Sequence, residues 1–257
     1  MTYIFHKKKF HKEALRFAFW SRSFNFNPQN NGNVAVYPAA GIIYNRIKKS
    51  GNSSVLLFLQ DALEEKKDWT EGRYHEQKRR ATGNTVTPFG LRAKEIFNLK
   101  KYYSFTIMRN PYSRCLSAFL QKVAAGKERY RGVAGFGQND AAGFESFVAF
   151  LENGGLYYNK HWWPQVDLLF WPPEYFFYIG KLERLEEELR LILSSNGITV
   201  PESLSIKEPH PSEQEQVGKV TNAGQKMARY YTEDLYDRIF TLYRRDFEVG
   251  GYHKNQR

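Results

Sequence analysis

The chain reads as an α/β protein with a central, mainly parallel sheet. Three apolar runs rich in β-branched and aromatic residues, Gly41–Ile47, Tyr103–Met108 and Tyr175–Ile179, have the length of buried strands. Each is followed within a few residues by a segment of helical periodicity, and that alternation belongs to parallel sheets. Two of the strands end in polar, cationic sequence, Lys48–Ser54 and Arg109-Asn110-Pro111. In open α/β sheets ligands sit beyond the carboxyl ends of strands.

The elements follow in order. Residues 1–33 are basic and aromatic and then rich in Asn, Gln, Pro and Gly, so they are expected to form an N-terminal arm preceding a single domain over 34–257. Val34–Tyr37 is a lead-in strand. After the Gly41–Ile47 strand, a helix is expected over Ser53–Lys67. Trp69–Pro88 is polar and carries His75, Lys78, Arg79 and Arg80, an excursion of the kind that often bears function. Leu91–Lys100 reads as a helix. Pro111 suits a first helical turn, opening a helix to about Ala125. A glycine-containing loop follows, then a helix over Phe144–Glu152 stopped by Asn153-Gly154-Gly155. An aromatic stretch contains His161-Trp162-Trp163-Pro164-Gln165. A helix to about Ser195 ends at Gly197, and a last one, capped by Thr232, runs to about Asp246.

Composition narrows the partners. Of 257 residues 38 are Lys or Arg and 27 Asp or Glu, a net charge of +11. The excess is one-sided: residues 1–131 hold 25 basic against 9 acidic side chains, while 132–257 hold 13 against 18. Such a first half suits an anionic ligand: a nucleotide, nucleic acid, an acidic glycan or a membrane face. The one cysteine, Cys115, excludes an internal disulfide and a cysteine-built zinc site. No apolar run is long enough to span a bilayer, and no secretory signal is visible, so a cytoplasmic setting is expected.

Ile42–Val55 is a strand, a small polar loop and a helix start, a combination that makes a phosphate-sized anion site. The first amides of a helix lack internal partners, and its dipole favours negative charge there. Gly51 allows close backbone approach, Ser53 and Ser54 are expected to cap the helix, and Lys48 or Lys49 adds charge. An ordinary capped turn with solvated lysines would share this sequence. At the second strand end, Arg109 and Ser117, two helical turns apart, form a candidate clamp for another phosphate.

These blocks resemble the PAPS-dependent sulfotransferases, specifically the carbohydrate group of sulfotransferase family 2 that includes chondroitin and HNK-1 enzymes. Lys48-Lys49-Ser50-Gly51-Asn52-Ser53-Ser54 is similar to that family's 5′-phosphosulfate loop. Phe105–Phe119, with Arg109 and Ser117, is similar to its 3′-phosphate element. His161–Gln165, Ile179–Glu183 and Leu242–Phe247 resemble later family blocks, in the same order. Lys48 stands where proline is usual, and Ser53 where threonine is common. The family's cysteines are missing, as in a bacterial-type soluble member; a Golgi or membrane-periphery setting would require a tether outside this chain.

The resemblance implies a P-loop-NTPase-like three-layer sandwich that moves a sulfuryl group from 3′-phosphoadenosine 5′-phosphosulfate (PAPS) to a hydroxyl of a carbohydrate or glycoconjugate, with no metal. Lys48, Lys49, Ser50, Gly51, Asn52, Ser53, Ser54, Arg109 and Ser117 would bind PAPS, and Lys49 would neutralise the leaving phosphate. His75 would take the acceptor's proton, with His161 as competitor. Arg79, Arg80, His161 and Trp162 are candidate acceptor contacts, although charge runs are usually solvated faces and large aromatics are more often core than platform. Two rivals remain: a P-loop-like kinase or nucleotide-binding protein, and a basic nucleic-acid-binding module. The first needs Gly-x-x-x-x-Gly-Lys-Ser/Thr, and here lysine precedes the glycine. The second rests on charge and aromatics alone.

Overall fold

The computed structural model describes residue 14 and residues 26–63, 85–206 and 223–256. His75, Lys78, Arg79 and Arg80 lie outside the described residues.

Four strands pair in the order β1 (Val34–Tyr37), β2 (Ile42–Asn45), β3 (Tyr103–Met108) and β4 (Tyr178–Lys181). The β1–β2 pair is antiparallel, with Val34 opposite Asn45. β2, β3 and β4 are parallel, with Asn45 beside Thr106 and Met108 beside Lys181. The mainly parallel sheet is therefore as expected.

Alternation along the strands sends side chains to two covered faces. Ala35, Ile42, Tyr44, Phe105 and Ile107 pack under α1 (Asn52–Leu63) and, through Leu189, Ile192 and Leu193, under a helix over Leu185–Ser195. Val34, Val36 and Ile43 face the other way, against Leu91, Ile96, Leu99, Phe170 and Trp171. Ile96 comes from α2 (Ala93–Asn98). A third, aromatic-rich cluster gathers α3 (Pro111–Ala118), α4 (Ala141–Glu152), α6 (Ala223–Tyr230) and α7 (Glu233–Leu242) beside the strand ends; the Leu185–Ser195 helix is α5.

Several boundaries differ from the sequence reading, each for a physical reason. α3 stops at Ala118 and continues as a π-helical turn over Phe119–Val123. The third strand begins at Tyr178, because Pro173–Tyr175 closes a 3-10 turn first. α4 starts at Ala141, capped by Asp140 Oδ1, which accepts from Gly143 N at 2.8 Å. The last helix breaks at Tyr243 into α7 and α8 (Arg244–Gly250). That break lets the Tyr243 hydroxyl reach Trp162 O at 2.5 Å and turns Asp246 into the interior. Residues 26–33, expected to belong to an arm, are docked on the domain: Asn30 is buried and its Nδ2 donates to Asp167 O and Leu169 O at 2.7 and 2.9 Å.

Candidate active site

Because β2 and β3 are parallel neighbours, their carboxyl ends open on the same edge of the sheet. The loop after β2 turns sharply: Lys49 has φ +70°, alone among the described non-glycine residues in being positive, and Gly51 has φ +66°. The left-handed conformation is costly for a side-chain-bearing residue. It is held here by the element beyond β3. Arg114 Nε donates to Lys48 O at 3.0 Å, and Arg109 Nη1 donates to Lys49 O at 3.3 Å. The two anion loops expected from sequence are thus in direct contact.

α1 begins at Asn52, so Ser53 and Ser54 do not cap it as expected; they lie in its first turn, with half-buried side chains. The amides of that turn have no intrahelical acceptor, which leaves them available to an anion. Packing gives Gly51 a further requirement. A Cβ there would lie 2.6 Å from Leu182 Cδ1 and 3.2 Å from Leu185 Cδ2, at the turn from β4 into α5.

Positive charge is concentrated and only partly compensated. The half-buried Lys49 ammonium donates to Gln121 Oε1 at 3.0 Å. Burial, and then the charges of Arg109, Lys122, Arg114 and Lys127, push its pKa down to about 7. Arg109 donates through Nε to Ser113 Oγ at 2.9 Å. Burial lowers its pKa to about 10, Glu183 opposing and Arg114 assisting. A desolvated recess in which neighbouring cations lower the pKa of both Lys49 and Arg109 can accept an anion, which would offset that repulsion. This donor-only set fits a nucleotide with phosphates at two ends.

Ser117 lies on α3 two turns past Arg109 and is buried. Ser113, one turn nearer, is the serine bonded to Arg109, and sequence reasoning passed over it. His161 joins the cationic recess: burial and then Lys122, Lys48, Lys49 and Arg129 push its pKa down to about 3. Asn159 Oδ1 meets His161 Nδ1 at 2.6 Å and accepts from His161 N at 3.1 Å. An amide oxygen only accepts, so Nδ1 carries the proton and Nε2 presents a lone pair. Trp162 is not a sugar platform. It is fully buried, its ring packs against Phe147 and Tyr130, and its Nε1 donates to Gly155 O at 2.9 Å. His75, Arg79 and Arg80 are not among the described residues.

Sequence reasoning also gave no role to Arg114, Gln121, Lys122 or Gln165. Arg114 and Gln165 stand inside blocks that resemble the family, and Lys122 lies one turn beyond Phe119, where the block with Arg114 ends; no other signal marked them.

Among the described residues no group of three or more His, Cys, Asp or Glu side chains is placed to hold a metal ion, and no helix is long and apolar enough to cross a membrane. The family model described as "Sulfotransferase family" matches residues 33–253. Carbohydrate sulfotransferase 14 of Mus musculus is 30% identical over 117 residues, covering 40% of this chain and 31% of its own length. The chain thus spans about a third of the curated relative it matches. No solved structure matches it.

Proposed function

The chain belongs to the sulfotransferase family, and from that premise we propose that it moves a sulfuryl group from PAPS to a hydroxyl of a carbohydrate or glycoconjugate. The observation that carries this reading is the contact of Arg109 Nη1 with Lys49 O, which makes one cationic recess from two strand tips. On this reading the first-turn amides of α1, with Ser53 and Ser54, hold the 5′-phosphate. Lys49 neutralises the charge that grows on that phosphate as its bond to sulfur breaks. Arg109, with Ser113 and Ser117 on the same helix, holds the 3′-phosphate and so fixes the register of the nucleotide. The carbohydrate half of the proposal is supported by the name of the mouse relative.

A histidine takes the acceptor's proton as the new oxygen–sulfur bond forms. The family resemblance points to His75; the Nε2 lone pair makes His161 the competitor, while burial and the cationic surroundings, which hold its pKa at about 3, oppose its taking a proton. Alanine at the true base lowers kcat while leaving affinity for 3′,5′-adenosine bisphosphate unchanged. A variant that instead loses the nucleotide identifies its histidine as a binding contact.

The test of the reading is stabilisation by 3′,5′-adenosine bisphosphate in the absence of Mg²⁺. At a hundredfold excess over Kd a ligand of the folded state adds about 2.7 kcal/mol, or about 5–10 °C in Tm for a domain of this size. No shift, with a shift instead from ATP–Mg²⁺ or an oligonucleotide, sinks the sulfotransferase reading in favour of a kinase-like or nucleic-acid-binding protein.

A further inference from the structure

Gln165 lies between the two anion loops, fully buried, on the turn that precedes the 3-10 turn Val166–Leu168. Its Oε1 accepts from Ser50 Oγ at 2.9 Å and from Arg109 N at 2.9 Å. Its Nε2 donates to Arg109 O at 2.8 Å. One side-chain amide therefore joins the loop after β2 to the tip of β3. The β2–β3 register ends at Asn45 beside Thr106, so the ladder between those two strands does not extend to the loop after β2 or to Arg109, although β3 stays paired with β4 to Met108.

The turn that carries Gln165 is braced from behind. Asp246 of α8 accepts from Gln165 N at 2.7 Å and from Val166 N at 3.0 Å. Arg114 of α3 donates to Trp163 O at 2.8 Å with one nitrogen and to Lys48 O at 3.0 Å with another. A buried amide is favourable only when its hydrogen bonds are made. An apolar side chain of the same size would fill this position without tying the loops to each other.

We propose that Gln165 is a positioning residue: it sets the spacing between the two loops, so that a nucleotide with phosphates at both ends is held in a single register. The proposal rests on the nucleotide reading above and adds to it a residue that touches neither phosphate. Each loop retains its own donors without Gln165, so a ligand with one phosphate is little affected. A ligand that must satisfy both loops at once is affected strongly.

Calorimetric titration with 3′,5′-adenosine bisphosphate and with adenosine 5′-monophosphate separates the outcomes. The quantity read is the preference for the bisphosphate. In Gln165→Met, which keeps volume and removes the bonds, that preference is expected to fall by about 10- to 100-fold, the scale of an ångström of misplacement, with monophosphate affinity little changed. Ser50→Ala removes only the bond to the β2 loop and lowers the preference by less; it decides the question if Gln165→Met does not fold. An unchanged preference in the folded variant, or equal loss for both ligands, overturns the proposal. A wild-type protein with no preference at all overturns the nucleotide reading itself.

Discussion

Lys49 combines a backbone angle and a charge state that its residue type does not favour. Its φ of +70° has no source in the side chain; it follows from the bonds that Arg109 and Arg114 make to the carbonyls of Lys49 and Lys48. Its amine, with a pKa of about 7, is half-neutral near physiological pH until an anion arrives. A bound phosphate favours the ammonium form and raises that pKa, so binding takes up a proton wherever the free amine is neutral. Affinity for 3′,5′-adenosine bisphosphate should therefore fall as pH rises from about 7 towards the ordinary lysine value of 10.5, by up to about tenfold per pH unit. This window lies above the phosphate pKa of about 6, so the ligand's own titration is complete. Lys49→Met should bind weakly and lose this slope; a wild-type profile as flat as the variant's would remove Lys49 from the site. The charge at position 49 was readable in the sequence. Its conformation was not, because it is imposed by residues 60 or more positions away.

At the scale of the element, the strand–loop–helix unit from β2 to α1 is the most local part of the site and the most legible. Apolar spacing, a small polar loop and a helical run are all contained in Ile42–Leu63. The role of Gly51 shows the limit of that legibility. Sequence alone suggested room for an anion, whereas the structure puts the β4–α5 turn where a Cβ would go. Gly51→Ala combines a left-handed φ, about 1–2 kcal/mol for a residue with a Cβ, with overpacking that costs about 1–3 kcal/mol. A loss of about 2–5 kcal/mol in stability is expected from denaturant melts. Gly126→Ala is the control: its φ is +63°, but a Cβ there meets nothing within 4 Å. Equal losses in the two variants would show that contact with Leu182 and Leu185 is irrelevant. Helix ends were less legible for the same reason. The break at Tyr243 answers to a distant partner, the Trp162 carbonyl, and not to local propensity.

For the whole molecule, the uneven charge of the two halves acquires a spatial meaning. Lys48, Lys49, Arg109, Arg114 and Lys122 come from the basic half and converge beyond the strand ends, Lys48 with Lys49 and Lys122 around His161. The acidic half supplies Glu183, whose Oε1 accepts from Asn110 N at 2.9 Å, and Asp246, which braces Gln165. The end of the chain returns to the same place. Tyr252 OH donates to Glu183 Oε2 at 2.8 Å, and Met108 O lies 3.1 Å from the same hydroxyl; Tyr112 OH and Asn110 Nδ2 reach Lys254 O and Gln256 O. These contacts join positions more than 60 residues apart in sequence, many of them more than 140. The alternation of strand and helix, the two polar loops at strand ends and their positive charge belonged to the sequence by itself, because each is written within a few consecutive residues. Tertiary structure alone decided that the loops touch, that Gln165 joins them, that Trp162 is core and that His161 faces the lysines. Such choices depend on which distant surfaces exclude water together and satisfy one another's buried polar groups, and no short stretch of chain carries that information.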